Sequence, residues 1–414
     1  DQERGENLTS DILFDHYRHD IDASNTVGGS PIRYLRNETG TAFDSTSDVG
    51  ALVVVDSTDV TVRDRTLTSA TAFVNSSGVT MENVAVAGTG LDFVAVSDSV
   101  VDGATFAPVE EHIDDGVGVD GARLLDTVDV TVRNATVTTN ANGAVVRGSG
   151  GDGLLLDNLT TTVKASNVGV TLSYVNGTTI ANSTIHNSND GVQINAATNT
   201  TVDNTSLSNN TAGSAPVGIY NGGDDTTVRN SSIDTAGDDG IQSPGGVTGL
   251  AVVDSLIADN GGAGIVFGMN NADGYVRSAT VENNSVYGIE IGSNNDNHTV
   301  VDSLVADNGQ LGGADGVVVE GTNHRFRNNT IRNHTDGSDS VGLALDGASN
   351  VVVEDTTLTD NDYGVELRGQ TTGIVVDGAA VSGGDTGIRV DDARDNAFHN
   401  LTLGGHGSWA FFQP

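Results

Sequence analysis

The sequence predicts an all-β protein whose short strands stack into a parallel solenoid of about 15 coils. A six-residue segment recurs in which apolar residues stand five apart, as in VRNATV (132–137), IANSTI (180–185) and VRNSSI (228–233). Fifteen copies begin between residues 62 and 398, at an average of 24 residues per copy. No copy shows a helical period of 3.6 residues, and repeats of this length are typical of solenoids.

A second element, a glycine followed by a short strand, lies between the copies, as in DGVQI, DGIQS, YGIEI and YGVEL. One copy cannot bury its apolar face alone, so we expect the copies to stack around a continuous lumen. The glycine is expected to adopt a positive φ, and the Asn or Asp in the six-residue segment to hydrogen-bond along the stack. The predicted luminal column is Ile241, Ile265, Ile289, Val317, Leu343, Val365 and Ile388.

The boundaries of the repeat predict three regions. Residues 1–48 form an N-terminal cap, in which Phe14, Tyr17, Tyr34 and Leu35 cover the first coil; residues 49–403 form the solenoid. Residues 404–414 form a C-terminal cap or a docking segment. The predicted interface residues there are Trp409, Phe411 and Phe412. Head-to-tail contacts between solenoid ends do not close, so they can build filaments.

The composition is strongly acidic, with 56 Asp and Glu, 18 Lys and Arg, and a formal net charge of −38. Such a surface suits a halophile, because carboxylates hardly repel one another at high ionic strength. It disfavours nucleic acid and anionic membranes as partners. No apolar run is long enough to span a bilayer. The chain starts at Asp1, as a processed product would, so we expect an extracellular or cell-surface protein after signal-peptide removal.

The repeats resemble those of the right-handed parallel β-helix proteins of the pectin-lyase-like superfamily. The stretches GGSPIRYLRN (28–37) and GALVVVDSTDVTVRD (50–64) look like the opening of NosD-like surface proteins, here of a halophilic archaeon. The NosD resemblance implies copper, for which His16 and His19 are a candidate pair. Two Met and no Cys leave Cu(I) without soft ligands, so copper is not expected.

The stretch TAGDDGIQS (235–243) resembles the Gly-Asp-Asp motif of polygalacturonases, which share the β-helix fold. This alternative implies a catalytic cluster of carboxylates, with candidates Asp224, Asp225, Asp238 and Asp239. The His and the Arg-x-Lys of those enzymes are missing at the matching places. Asp239-Gly240 also aligns with other residue-glycine pairs of the repeat, which indicates a turn.

The loop APVEEHIDDGVG (107–118) is the most acidic insertion that breaks the period. Hard oxygen ligands on a loop suit Ca²⁺, and the alternative is a solvated acidic loop. The candidate metal ligands are Glu110, Glu111, His112, Asp114 and Asp115.

Sixteen N-x-S/T sequons occur in the chain. Seven follow from the six-residue repeat itself, and the others lie at turns or loops, where we expect glycan acceptors. These nine are Asn7, Asn37, Asn75, Asn176, Asn199, Asn209, Asn283, Asn297 and Asn333.

Two functions remain open at this point. The first is a non-catalytic cell-surface protein, structural or adhesive, that polymerises head-to-tail or binds cell-surface glycans. The alternative is a carbohydrate-active enzyme or a glycan-binding module that uses the acidic face. Exposed aromatics along one face would favour sugar binding, and with aromatics at 4% the sequence shows no such row.

Overall fold

The computed structural model of the protein describes residues 17–108, 120–139, 144–163, 168–310, 315–335 and 339–413. The chain divides into two compact units, unit 1 (Asp1–Ser206) and unit 2 (Leu207–Pro414), and each is described by itself.

The strands of unit 1 are short, as the spacing of turn residues predicts. In chain order they are β1 (Thr26–Val27), β2 (Ser30–Arg36), β3 (Ala42–Phe43), β4 (Ala51–Val55), β5 (Thr61–Leu67), β6 (Thr71–Val74), β7 (Thr80–Gly88), β8 (Leu91–Val94), β9 (Ser97–Asp102), β10 (Thr105–Pro108), β11 (Ala122–Arg133), β12 (Thr136–Thr139), β13 (Val146–Asp152), β14 (Leu155–Asp157), β15 (Thr160–Val163), β16 (Val170–Ser173), β17 (Thr179–Ala181), β18 (Thr184–His186), β19 (Val192–Thr198) and β20 (Thr201–Asp203).

The strands of unit 2 are similarly short, and the first of them starts at the last residue of unit 1. They are β21 (Ser206–Ser208), β22 (Ile219–Asp224), β23 (Thr227–Arg229), β24 (Ser232–Asp234), β25 (Ile241–Gly245), β26 (Ala251–Val253), β27 (Leu256–Ala258), β28 (Ile265–Met269), β29 (Tyr275–Arg277), β30 (Thr280–Glu282), β31 (Ile289–Ile291), β32 (Thr299–Val301), β33 (Leu304–Ala306), β34 (Val317–Val319), β35 (Arg325–Arg327), β36 (Thr330–Arg332), β37 (Val341–Asp346), β38 (Val352–Glu354), β39 (Thr357–Thr359), β40 (Tyr363–Arg368), β41 (Val375–Asp377), β42 (Ala380–Ser382), β43 (Thr386–Val390), β44 (Ala397–His399), β45 (Thr402–Gly404) and β46 (Trp409–Phe412).

Each unit is a parallel solenoid with three sheets, which confirms the predicted fold. The first sheet of unit 1 holds β2, β4, β6, β8, the start of β11, β13, β16 and β19. The first sheet of unit 2 holds β22, β25, β28, β31, β34, β37, β40, β43 and β46. The second and third sheets take the strands that follow in each coil, and the number of coils differs slightly from about 15.

The predicted luminal column of the first sheet in unit 2 is confirmed. Its seven residues, from Ile241 to Ile388, are fully buried. Successive members are direct partners in the parallel ladder, such as Ile241 with Ile265 and Ile265 with Ile289. Burial of each such side chain contributes about 1.5–3 kcal/mol before the entropy of ordering the chain is subtracted.

The glycines before these strands were expected to have a positive φ, and this expectation is wrong. Gly240 and Gly264 are not among the residues with a positive φ. They are needed because the next coil lies too close: a Cβ on Gly240 would lie 2.6 Å from Ile257 Cγ2 and 2.7 Å from the Gly264 carbonyl oxygen. Close packing at the corner, rather than turn conformation, therefore selects glycine here.

The Asn and Asp of the six-residue segment occupy the left-handed conformation. Asn182, Asn204 and Asn328 have φ values of 50°, 46° and 54°. The amide Nδ2 of Asn204 donates to Oδ1 of Asn182 at 2.8 Å, and Asn328 Nδ2 donates to Oδ1 of Asp302 at 2.7 Å. The predicted hydrogen-bond ladder along the stack is confirmed, and Asn or Asp tolerates this conformation better than other side chains.

The solenoid extends beyond both predicted limits. Strand β2, at residues 30–36, already pairs in parallel with β4, so the first coil starts inside the predicted N-terminal cap. At the other end β46 pairs in parallel with β43 and continues the first sheet, so residues 409–412 are a strand of the solenoid. Leu35 belongs to this first coil, because it pairs with the buried Val54.

The lumen of unit 2 also holds two stacked imidazoles, His298 and His324, whose ring centroids lie 5.3 Å apart. The backbone N–H of Gly274 donates to Nδ1 of His298 at 2.8 Å, and the N–H of His298 donates to Nδ1 of His324 at 3.1 Å. Both Nδ1 atoms are therefore acceptors, which requires neutral rings. Burial lowers the pKa of each to about 4.

Candidate functional site

The outward side of the first sheet in unit 2, which we call the first-sheet face, carries the densest group of polar and aromatic side chains. Alternate residues of each strand point away from the lumen, and parallel pairing aligns them from coil to coil at about 4.8 Å spacing. One outward column stands just before the luminal glycine, and two more stand on the strands. The face is therefore assembled from many coils, each of which contributes two or three side chains.

An aromatic row runs along this face. Tyr220 pairs with Gln242 at its start, and Tyr363, Thr386 and Trp409 are successive partners in the column that precedes the glycines. Tyr287 immediately precedes Gly288 and stands in that same column. The row also includes Phe412, whose ring lies 5.8 Å from the ring of Trp409. Trp409 is 57% exposed, and the other rings of the row are half-buried, so the row differs from the exposed one that the sequence did not show.

The centre of the face is apolar. Val318, Val341 and Ala344 form a small buried cluster, and Tyr287 and Tyr363 pack against it. Val318 and Ala344 are neighbours in one outward column of the ladder. These three side chains are at most 9% exposed, so the rings of the two tyrosines that pack on them, rather than the cluster itself, form the apolar surface here.

Two arginines lie toward the last coils, and both pair with acids. Arg368 donates from Nε to Asp346 Oδ2 at 2.9 Å and from Nη1 to Glu366 Oε2 at 2.7 Å, and it also contacts Asp315. Arg389 lies 3.3 Å from Glu366 Oε1 and 5.3 Å from the Tyr363 ring centroid. The network holds Tyr363 and both guanidiniums in fixed positions.

Two carboxyl groups of the face have strongly raised pKa values. Burial and the charge of Asp238 raise the pKa of Asp239 to about 6, against hydrogen bonds from Ala263 N–H at 2.8 Å and Gln242 Nε2 at 3.0 Å. Burial and the charge of Glu366 raise the pKa of Asp315 to about 6, although Arg368 opposes the rise. Raised pKa values occur both at functional sites and in structural networks, and each of these buried carboxylates also accepts a hydrogen bond from a backbone N–H of the next coil.

Glu290 lies one coil before Asp315, and Glu320 follows Asp315 on the same coil, at the other end of β34. Burial raises the pKa of Glu290, and the charges of Asp239 and Glu320 raise it further. Burial and the charge of Asp346 raise the pKa of Glu320. Among the described residues, no cation and no hydrogen-bond donor engages either carboxylate. These oxygens are therefore free to accept hydrogen bonds from a ligand.

The four candidate catalytic carboxylates do not meet. Asp224 is the last residue of β22, whereas Asp238 and Asp239 precede β25, and β22 pairs with β25 from Ile219–Ile241 onward. The two pairs thus stand at opposite ends of the strands, roughly 20 Å apart along the strand direction. Asp224 accepts hydrogen bonds from the N–H and the hydroxyl of Thr248 at a turn. The predicted cluster of four carboxylates is therefore not formed. Only the sequence neighbours Asp238 and Asp239 remain together.

The candidate calcium ligands Glu110, Glu111, His112, Asp114 and Asp115 lie outside the described residues, as does His16 of the candidate copper pair. His19 is exposed, and its backbone N–H donates to the Tyr34 hydroxyl. Within the part of the chain that the structure describes, no group of three His, Asp or Glu side chains is arranged to hold a metal ion.

The three candidate interface aromatics separate into two roles. Trp409 and Phe412 belong to the outward columns, and Trp409 is 57% exposed. Phe411 pairs with the luminal Ile388, packs edge-to-face on Phe398 at 5.4 Å and is 42% exposed. Only Phe411 therefore remains a candidate for contact at the end of the lumen.

The candidate glycan acceptors resemble the repeat asparagines more closely than expected. Asn75, Asn199 and Asn297 have left-handed φ values, and their Nδ2 atoms donate to side chains one coil away. Asn283 and Asn333 line a polar depression of about 550 Å³ with Asp307, Gln310 and Thr335. Asn37 and Asn209 are exposed with left-handed φ values, Asn176 donates to Asp152, and Asn7 lies outside the described residues.

The matching face of unit 1 is covered by the chain itself. Tyr17 packs with Tyr34 against a cluster of Val55, Val74 and Val94 on the outward side of the first sheet. The Tyr34 hydroxyl donates to the Tyr17 carbonyl oxygen at 2.5 Å. Burial and the Asp92 carboxylate raise the pKa of Tyr17. The expected cover of the first coil is thus a cover of the sheet face over several coils.

Comparison with known proteins concerns the fold. The profile of the right-handed β-helix region family matches residues 115–243, 207–339 and 294–407. No curated protein matches the sequence. Within the described residues, no helix has the length and apolar character needed to cross a membrane.

Three solved structures illustrate the likeness. A double mutant of the periplasmic alginate epimerase AlgG is 11% identical, with 88% of this chain and 84% of that chain covered and a TM-score of 0.49. The A-module of mannuronan C-5 epimerase AlgE4 from Azotobacter vinelandii is 15% identical, with 88% and 90% covered and a TM-score of 0.34. The Dettilon tailspike protein is 11% identical, with 83% and 62% covered and a TM-score of 0.41. At this level of likeness, the ligands of these proteins carry no argument about the ligand of this chain.

Proposed function

We propose that this chain, which belongs to the right-handed β-helix family, is a non-catalytic glycan-binding protein that uses the first-sheet face of unit 2. The aromatic row carries the proposal. Tyr220, Tyr287, Tyr363 and Trp409 lie on one side of one sheet, and Glu290 offers acceptor oxygens beside them. Aromatic faces stack on the apolar faces of sugar rings, and carboxylates accept hydrogen bonds from hydroxyls.

The row suits a linear glycan. Tyr363 and Trp409 stand two coils apart, and Tyr220 stands eight coils before Trp409 in the same sheet. At about 4.8 Å per coil the row extends over roughly 38 Å. A ligand that reaches several of these rings must be an extended polymer rather than a single sugar. Weak stacking contacts at several rings then add into useful affinity.

Binding to a panel of soluble polysaccharides, measured by affinity electrophoresis and calorimetry, tests the proposal. Trp409→Ala and Tyr363→Ala are each expected to lower affinity about fivefold, close to 1 kcal/mol per ring. The matched control is Tyr275→Ala, because Tyr275 is 37% exposed on the second sheet of the same unit. Equal losses in all three variants, or no binding by the wild type, would contradict the proposal. Release of reducing ends would show that the face is catalytic.

Head-to-tail self-association is a second candidate, which the exposed luminal position of Phe411 favours. Electron microscopy in molar salt, with Ca²⁺ and then with chelator, tests it together with the proposed calcium loop at 107–118. Filaments that vanish in Phe411→Asp but persist in Trp409→Ala would support this candidate. Only single particles at all concentrations would exclude it.

An extracellular location in a high-salt environment fits these proposals. The formal net charge of −38 supports the high-salt setting, because screening removes most of the repulsion. Unfolding measured against NaCl concentration is expected to show a strong gain in stability with salt. Intact-mass analysis of the protein from its native source tests the nine proposed glycan acceptors.

A further inference from the structure

The charge balance of the first-sheet face narrows the class of glycan that it can bind. Seven carboxylates and two guanidiniums stand in its outward columns. The carboxylates are those of Asp239, Glu290, Asp315, Glu320, Asp346, Glu366 and Asp391, and the guanidiniums are those of Arg368 and Arg389. The face therefore carries a clear excess of negative charge.

Neither guanidinium is available to an anionic ligand. Arg368 already contacts three carboxylates, on Asp346, Glu366 and Asp315. Arg389 contacts Glu366 at 3.3 Å and Asp391 at 3.4 Å. A guanidinium holds the carboxylate of a uronic acid best with a free fork of N–H donors, and here both guanidiniums already pair with carboxylates of the protein, while the unpaired Nε of Arg389 is buried.

Resting on the proposed function, we infer that the face selects an uncharged, hydroxyl-rich linear glycan and rejects polyuronates. Glu290 and Glu320 are central to this selection, because their carboxylates lack a partner among the described residues and they stand on the coil of Tyr287 and on the coil after it. Pairs of sugar hydroxyls can donate to one carboxylate, whereas a uronate would meet two like charges at close range. The aromatic row contributes equally for both polymers, so charge decides between them.

Glycans that differ only at C6 test this inference. The probes are soluble oligosaccharides in three pairs with the same linkage: mannan and mannuronan, galactan and galacturonan, glucan and glucuronan. In about 0.15 M NaCl the neutral member of at least one pair is expected to bind at least tenfold more tightly than its uronate. In about 1 M NaCl, where the Debye length falls to about 3 Å, that preference is expected to shrink.

A variant that removes two negative charges tests whether Glu290 and Glu320 cause the preference for neutral glycans. The double variant Glu290→Gln with Glu320→Gln is expected to bind the uronate at least fivefold more tightly, while neutral binding changes less than threefold. The control is Glu282→Gln with Asp254→Asn, which removes two charges from the third sheet and the turn after the second. Circular dichroism in the same buffer shows that each variant is folded.

The outcomes separate this inference from the function on which it rests. Tighter binding of the uronate, weakened by Trp409→Ala, would overturn the charge selection and leave glycan binding at this face intact. No binding to any member of the three pairs would overturn both. Equal gains in uronate binding by the Glu290/Glu320 variant and its control would also overturn the selection, because overall charge would then explain it.

Discussion

The first-sheet faces of the two units are built on the same ladder and differ in what lies on them. In unit 1, Tyr17 covers a strip of valines that includes Val55 and Val94. In unit 2, Tyr287 and Tyr363 pack on a smaller buried cluster, and the carboxylates of Glu290 and Glu320 beside them have no partner among the described residues. The lumen fixes the inward residues of every coil, and the outward columns are free of that constraint. Function can therefore be placed on one face and the chain's own cover on another.

Solvated acids and acids of the first-sheet face also differ in their pKa values, and hydrogen bonds lower that of the exposed Asp296 in unit 2 as well. Hydrogen bonds from Ser24 and Thr46 lower the pKa values of Asp22 and Asp44 in unit 1. Burial raises those of Asp239 and Asp315 in unit 2. Acids on a solvated turn keep their charge easily, whereas acids in a partly dry face hold it at a cost.

Breaking the arginine network should have the largest effect on this contrast. Arg368→Met leaves the buried Asp315 without its cation and leaves Glu366 with Arg389 alone, and we expect a loss of about 3 kcal/mol in the stability of unit 2 at pH 8. Hydrogen exchange of peptides from each unit measures the loss and shows whether unit 1 is spared.

The matched control for this change is Arg277→Met, because Arg277 and Asp254 form an exposed pair 3.8 Å apart in the same unit. An exposed pair contributes at most about 1 kcal/mol. Arg368→Met should also recover stability at pH 5, where the freed carboxyls take up protons. Equal losses in both variants would show that the network is an ordinary surface feature.

Lowering the pH should change the stability of unit 2 in two opposite ways. The folded-state pKa values of Asp239 and Asp315, about 6, lie above the ordinary value of 3.8, so protonation stabilises the fold as the pH falls from 7 to 4. Those of His298 and His324, about 4, lie below the ordinary value of 6.5, so stability is lost as the pH falls through the same range. In the wild type we expect the gain in stability from the two acids and the loss from the two imidazoles largely to offset each other.

The double variant Asp239→Asn with Asp315→Asn removes the contribution of the acids and leaves the pH dependence that the imidazoles cause. With these two acids removed, unit 2 should lose at least about 3 kcal/mol between pH 7 and pH 4, because the two imidazoles outweigh the smaller opposite contributions of Glu290 and Glu320. Urea unfolding followed by hydrogen exchange at each pH measures this slope. A flat profile in the double variant would show that the stacked imidazoles accept protons without cost.

The sequence predicted the lumen well, because an inward residue must be apolar in every coil and Ile241 to Ile388 obey that rule. It also aligned Asp239-Gly240 with the other residue-glycine pairs of the repeat, and in the structure Asp239 accepts a hydrogen bond from the backbone N–H of Ala263 in the next coil. The aromatic row was missed, because Tyr363 and Trp409 belong to different coils of unequal length. Trp409 had been assigned to a cap, so the register that aligns it with Tyr363 was not considered.

The repeat pattern could not predict which charged side chains form ion pairs. Arg368 contacts Asp315 across coils that lie far apart in sequence, and the length of the intervening loop decides whether they meet. The cover of unit 1 by Tyr17 is likewise a tertiary contact of a segment without the repeat. Periodicity indicates which side of a strand faces the lumen, and it carries no information about what folds over the other side.

Removal of the cover should destabilise unit 1 moderately. Tyr17→Ala exposes the strip of Val55, Val74 and Val94, and we expect a loss of about 2 kcal/mol, less than for a fully buried aromatic. Tyr174→Ala is the control, because Tyr174 is 74% exposed and its loss should cost less than about 0.5 kcal/mol. Hydrogen exchange in β4, β6 and β8 reports the effect; unchanged protection there would show that the cover is loose.

The smallest effect concerns glycan binding by the uncovered face. Beneath Tyr17 the outward column holds Val55, Val74 and Val94, and none of these offers an aromatic plane or an acceptor. Tyr17→Ala should therefore leave the affinity and the number of binding sites for the neutral glycan unchanged within a factor of about two. Calorimetry measures both quantities. A second site of similar affinity would show that an aliphatic strip suffices for binding, and the aromatic row of unit 2 would lose its special role.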